Sequence, residues 1–241
     1  RSLATIDGDS FHFRGLAAGS YLVAATGGGA GDSQIVQVQA GQTATVTLHN
    51  HGSSSVHGHV SDWRGGAAVV GMRCQTMVDS PSGTLMWGNA NPSYSDNNGD
   101  FTLDGVAAGS NRIICDGGLP FYSNGIAHLT VVDGQPATVS IPVVKRREGG
   151  VVGNIGAVIA SDSALVARIA TLDPQGAFAR AGLKTGDVVV SVDGASVAKL
   201  APMGIDFAIG DRPLGSHAAV GVTRAGKEVV ADVVVTTPEQ F

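Results

Sequence analysis

With 241 residues, 43% of them apolar and 15% charged, the chain has room for two or three small domains and enough apolar side chains to bury their cores, which excludes extensive disorder. A net charge of −5, with basic residues scattered singly except at Lys145, Arg146 and Arg147, excludes a phosphate-binding face for nucleic acid. The 35 glycines beside 7 Phe, 3 Tyr and 2 Trp suit short strands and many turns. The longest mostly apolar stretches, such as 151–160, are broken by glycine and fall short of the roughly 18 to 20 residues that span a bilayer.

Taken in chain order, the first 145 residues are organised by an internal repeat. Phe11-His-Phe-Arg-Gly-Leu-Ala-Ala-Gly-Ser20 recurs as Phe101-Thr-Leu-Asp-Gly-Val-Ala-Ala-Gly-Ser110. Each copy continues with an apolar strand (residues 21–25 and 112–115), a glycine-rich turn and a further strand. Each then ends on a Gly-Gln turn leading into an alternating segment, residues 43–48 in the first copy and 137–141 in the second. The second copy has an upstream half, with strands expected at 56–60 and 69–76; the first has only ten residues before Phe11, so the chain is expected to start part-way through a domain.

In the second copy, Ser95-Asp-Asn-Asn-Gly-Asp-Phe-Thr-Leu103 followed by Gly105-Val-Ala-Ala-Gly109 resembles the carboxypeptidase-regulatory-like, or transthyretin-like, β-sandwich. The first copy has Asp9 where the second has Gly99, and the second has Asn111 in place of the aromatic Tyr21. The resemblance implies spacer or adhesion-type modules without catalytic residues. It divides this part into residues 1–50, the C-terminal part of a first sandwich, and residues 53–145, a second one.

From Glu148 the texture changes to strands separated by two short helical patterns. Asp173 is placed to cap a first helix, with Pro174 at its first position, Ala177, Phe178 and Ala181 as its apolar stripe and Gly182 at its stop. A second is expected over 201–209, with Pro202 at its start and Gly210 at its end.

Between them, Ala181-Gly-Leu-Lys-Thr-Gly-Asp-Val-Val-Val-Ser-Val-Asp-Gly194 closely resembles the PDZ domain, in particular the bacterial type of periplasmic high-temperature-requirement proteases. The resemblance covers 149–238 and implies that a peptide carboxylate sits in the loop Asn154, Ile155, Gly156, Ala157. A strand running on through Val158 and Ile159 would take the incoming peptide by β-augmentation. Met203 and Phe207 would wall the groove with Ile155, which favours apolar peptide ends.

Other constellations are weaker. Cys74 and Cys115 are expected to form a disulfide in an oxidising compartment; the rival reading is two buried thiols. His49, His51, His57 and His59 alternate in pairs on strand faces, but no carboxylate or Cys completes a Zn or Cu set, and the expected reading is a solvated joint with no metal. The spacing of Asp96, Asn98 and Asp100 starts like a calcium loop, yet Phe101 stands where glycine is needed, which leaves a plain turn. Ser216 and His217 are adjacent, and the chain contains none of the nucleophile-elbow, zinc-protease or phosphate-loop motifs.

The chain is therefore read as mainly β: two β-sandwich modules, the first incomplete, and a C-terminal PDZ domain with two short helices. It is expected to be a non-enzymatic bacterial protein, periplasmic, at the cell surface or secreted, with no cofactor. Its partner would be a protein C-terminus or an extended strand in the PDZ groove; nucleic acid and a membrane span are not expected. Two rivals are the regulatory region of a larger secreted protease or peptidase, and a structural subunit of a surface or secretion assembly.

Overall fold

Short runs rich in Val, Ile and Thr, punctuated by glycine turns, leave little choice but sheets, and a computed structural model of the chain is mainly β with two short helices among the described residues. It describes residues 4–24, 30–31, 33–48, 50–51, 54–79, 85–87, 91–117, 121–147, 152–162 and 164–236. Among the described residues no helix is long and apolar enough to cross a membrane.

The first repeat copy supplies β1 (Thr5–Asp7), β2 (Ser10–His12), β3 (Gly19–Ala24), β4 (Ala30–Gly31), β5 (Ser33–Val38) and β6 (Asn50–His51). They form three separate two-stranded pairs, β1 with β2, β3 with β5 and β4 with β6. Residues 43–48, expected as a strand from their alternation, join no ladder. The pattern specifies a face to bury, but a strand also needs a neighbour for its N–H and C=O groups; among the described residues no strand pairs with this segment, and the Thr47 carbonyl accepts instead from the Gln34 side chain at 2.8 Å.

The second copy supplies β7 (Ser54–Asp62), β8 (Arg73–Asp79), β9 (Leu85–Trp87), β10 (Ser93–Tyr94), β11 (Asp100–Val106), β12 (Gly109–Asp116), β13 (Gly125–Val131) and β14 (Ala137–Val143). One sheet has the order β11-β7-β14, with β14 parallel to β7; the other has β10-β8-β12-β13, with β9 beside β8. Their inner faces meet in a core that includes Val56, Val60, Phe101, Leu103, Ile113 and Ile141, which makes a β-sandwich. At Gly58 a Cβ would stand 2.0 Å from Cζ of Phe101, so the ring occupies the space a side chain would need. The strand expected from Val69 begins at Arg73, although Val69 and Met72 are buried in the lead-in.

The C-terminal part contains β15 (Ala157–Ser161), β16 (Ala167–Leu172), α1 (Ala177–Arg180), β17 (Val188–Val192), β18 (Ala195–Ser196), α2 (Pro202–Gly210), β19 (His217–Arg224) and β20 (Lys227–Val234). The sheet order is β15-β16-β17-β19-β20, with β18 beside β17. A bridge between Asn154 and Thr236 brings its two ends together, and Phe178, Ile169, Leu200, Ile205, Ile209 and Val220 fill the interior. Positive φ at both Ala225 (48°) and Gly226 (77°) gives the β19–β20 hairpin a two-residue turn whose twist matches its strands.

α1 is shorter than its sequence signals suggest. Asp173 accepts from the Gln175 N–H at 2.9 Å and shapes a turn at Pro174, and the helix starts only after Gly176. The two parts share packing: Trp63 lies against the C-terminal core, and Val144 belongs to it. Asp193 accepts from Arg64 at 2.6 Å and also from Arg212.

Candidate functional site

The segment leading into β15 is held by backbone on three sides. The Gly153 N–H donates to Gly210 O at 2.9 Å and the Asn154 N–H to Thr236 O at 3.1 Å. Gly156 sits at φ +67°, and its carbonyl accepts from the Asp173 N–H at 2.8 Å while that of Ile155 accepts from the Phe178 N–H at 3.0 Å. A Cβ on Gly156 would lie 2.4 Å from Gly176 Cα, so two glycines let the loop and the start of α1 touch backbone to backbone. The Gly156 N–H donates to Asn154 Oδ1 at 2.7 Å, and the Ile155 amide has no acceptor among the described residues.

This loop opens onto β15, which pairs with β16 along one edge and with no other strand among the described residues. Ile159 and Ile155 point into the core, Ala157 is half-buried, and Val158 is 57% exposed. β15 thus presents a free main-chain edge next to a glycine loop, the geometry on which an extended peptide adds a strand.

α2 packs beside β15, and its faces can be assigned from their contacts. Ile205 and Ile209 are fully buried in the core. Gly204 lies against Ser123 and Val144, Phe207 has the Arg146 guanidinium 5.0 Å above its ring, and Asp211 accepts from the Arg147 N–H. Residues 144–147 therefore run along the flank that carries Gly204, Phe207 and Asp211. Gly210, whose Cβ would meet Gly153 O at 2.6 Å, marks the flank nearest the loop. At about 100° per residue, Asp206 falls about 40° from Gly210 and about 160° from Gly204, on the loop side. Of the two residues expected to wall the groove, Phe207 lies under the connecting segment, and Met203, 38% exposed, lies on the same side as Asp206.

Asp206 was not singled out by the sequence, where it reads as one carboxylate between Ile205 and Phe207. Among the described residues its Oδ1 is buried with no hydrogen-bond partner, and desolvation pushes the carboxyl up to about 6. Asp187 behaves in the opposite way. It accepts two hydrogen bonds from Arg224, at 2.6 and 2.7 Å, and one from the Lys184 N–H, and the Arg224 bonds hold its carboxyl below the ordinary value despite burial. It pins the turn before β17 to β19 and is fully committed to that task.

The remaining residues singled out in the sequence are dispersed. Cys74 and Cys115 face each other across β8 and β12, Cα atoms 4.0 Å apart, and are joined by a disulfide. His57 contacts Thr102 Oγ1 at 3.2 Å and His59 contacts Asp100 Oδ1 at 2.8 Å on the outer face of the β11-β7-β14 sheet. His51 lies in β6, and His49 falls outside the described residues. Among the described residues no three His, Cys, Asp or Glu side chains converge as a metal site. Asp96 accepts from the N–H groups of Asn98 and Asp100 and so shapes a turn. Ser216 donates to Pro213 O at 2.6 Å, while His217 bonds Asp232, so the adjacent pair does not act together.

No protein-family model matches the chain. The periplasmic serine endoprotease DegP of Salmonella typhimurium is 28% identical over 95 residues, covering 37% of this chain and 20% of that protease. Among solved structures, the Streptococcal ancillary pilin is similar at 11% identity and a TM-score of 0.33, over 93% of this chain and 73% of that one. A DUF3823 family protein from Parabacteroides merdae is similar at 14% identity and a TM-score of 0.29, over 76% and 97%. The group B streptococcus pilus 2b backbone protein is similar at 13% identity and a TM-score of 0.30, over 48% and 49%. The chain thus spans a fifth of the length of the protease it resembles and about half of that pilus protein.

Proposed function

We propose that residues 149–238 act as a PDZ-type module that captures the C-terminal tail of a partner protein, with residues 1–50 and 53–145 as carboxypeptidase-regulatory-like spacers. In this reading the chain works outside the cytoplasm of a bacterium as a binding or structural protein without a reaction of its own. The carrying observation is the free edge of β15 behind the Gly156 loop, where the Ile155 amide has no acceptor among the described residues. The similarity to a periplasmic protease supports the compartment, as does a disulfide between Cys74 and Cys115.

The chemistry of capture follows from the loop. A terminal carboxylate entering beside Ile155 would displace Asn154 Oδ1 from the Gly156 N–H and take both amides, and the tail would extend antiparallel along β15. Asp206, whose Oδ1 on the loop side of α2 has no partner among the described residues, favours a tail that carries Lys or Arg, because a buried carboxylate gains most from a charged donor.

Fluorescence titration of the full chain with labelled peptides tests the reading. A peptide with a free apolar C-terminus and a Lys within its last three residues is expected to saturate. Amidating its terminus should weaken it by about tenfold or more, the loss of one charge-assisted contact. No saturation up to millimolar peptide, or equal binding of the acid and the amide, would overturn it.

A further inference from the structure

β7 is the middle strand of its sheet, with β11 on one side and β14 on the other, and its residues alternate between the core and the outer face. His57 and His59 therefore stand two residues apart on one outer face, while Gly58 between them lies over the Phe101 ring in the core. The register places His57 between Thr102 and Thr138, and His59 between Asp100 and Ser140. Asp100 is 41 positions along the chain from His59 and reaches it only through the pairing of β7 with β11.

This register orients both rings in the same sense. Asp100 Oδ1 lies 2.8 Å from His59 Nδ1. A carboxylate only accepts, so Nδ1 carries the proton, and in the neutral ring Nε2 keeps its lone pair. Thr102 Oγ1 holds His57 by the same atom, 3.2 Å from Nδ1. The far nitrogens are left over. His59 Nε2 has no hydrogen-bond partner among the described residues, and His57 Nε2 has only Ser55 Oγ at 3.4 Å, a long contact. A histidine fixed at one nitrogen by a hydrogen bond and open at the other is oriented for a metal. Charge agrees: β7, β11 and β14 contain no Lys or Arg, whereas Asp100 and Asp104 are both exposed on β11.

We propose that His57 and His59 form a two-imidazole site for a borderline divalent transition cation, Cu(II) most tightly, with water completing the coordination. Two residues along a strand set the rings roughly 6 to 7 Å apart, and a lean of each toward the other puts a cation about 2 Å from both Nε2 atoms. Copper heads the affinity order for nitrogen donors, and Mg(II), which prefers oxygen, is a poor guest. The protein supplies two ligands rather than three, in keeping with the lack of a three-residue cluster among the described residues, so the cation is exchangeable. Asp100 acts as a positioning residue through His59. The C-terminal sheet carries the comparison: His217 Nδ1 lies 2.8 Å from Asp232 Oδ2, the same orientation by a carboxylate, but Ala219 stands where a second histidine would be needed.

The test titrates the metal-free full chain with Cu(II) and reads electron paramagnetic resonance. A first equivalent is expected to bind with hyperfine splitting from two imidazole nitrogens, to be displaced by Zn(II) only in excess and by Mg(II) not at all. His57→Ala and His59→Ala should each weaken binding about tenfold or more and leave one nitrogen, and Asp100→Ala should weaken it about tenfold with both nitrogens kept. His217→Ala should change neither. The two-nitrogen signal of the unaltered chain depends on no variant's stability. A signal from one nitrogen or from oxygen alone in that chain overturns the proposal. So does a two-nitrogen signal that persists in the His57→Ala chain, or a loss in His217→Ala as large as in His59→Ala. None of these readouts involves β15, so failure here and failure of peptide-tail capture are separable.

Discussion

The two repeat copies share their turns, their alternation and their aromatic anchor, yet among the described residues one closes a core and the other does not. Phe101 is 4% exposed over Gly58, whereas Phe11, at the same repeat position, is half-buried against Phe13 with its ring 6.1 Å away. The second copy has β7, which pairs with both neighbours of its sheet and supplies Val56 and Val60 to the interior, and β8, which pairs with β12 in the facing sheet; the described residues of the first copy hold no counterpart of either. Side-chain pattern sets which face wants burial, and the supply of neighbours decides whether burial happens.

The largest expected effect breaks the symmetry of that comparison. Phe101→Ala should destabilise the second sandwich by about 4 kcal/mol through cavity formation, whereas Phe11→Ala should cost less than about 1 kcal/mol because its ring has little to lose. Urea denaturation of the two variants checks this, and equal losses would mean the first copy is as closed as the second.

A middle-sized effect sharpens the contrast between a filled interior and an unmet polar need inside one. Asp206 holds its proton up to about pH 6 in the folded chain, against an unfolded value of about 3.9. The folded state binds that proton more tightly, so this carboxyl does no harm below about pH 4. Its penalty grows as pH rises from there and is complete above about pH 6. Asp206→Asn should therefore stabilise the chain by roughly 2 kcal/mol at pH 8 and by almost nothing at pH 4. A gain independent of pH would assign the effect to packing.

The smallest effect concerns the joint between the complete sandwich and the C-terminal sheet. Arg64→Ala removes one of two guanidinium partners of Asp193 at a largely exposed site, and should cost only about 0.5 kcal/mol in thermal denaturation. A cost several times larger would show that the ion pair, not Trp63, holds the joint.

Much of this fold is legible in the sequence. The Phe101 repeat, the alternation of residues 137–141 and the glycine turns locate β11 and β14 well, because each depends on local pattern. What escapes is set by distant partners. Residues 43–48 carry the same alternation and pair with no strand among the described residues. Asp173 and Pro174 look like a helix start, but Gly176 must lie against Gly156, more than a dozen residues away, which delays α1 to Ala177. The glycine loop of the candidate site is visible as Gly156 between apolar residues. The side of α2 that faces it is not, because residues 144–147 cover the flank of Phe207 and leave Asp206 on the other.

Trp63 and Val144, contributed from the sandwich side, are packed into the interior of the C-terminal sheet. Severing the chain after Arg147 would strip away both and bare an oily scar along α2. The C-terminal portion is therefore not a detachable cartridge: cut free, it should be stickier and melt earlier than it does in the intact chain, and a tug on its edge strand is passed directly to the sandwich behind it.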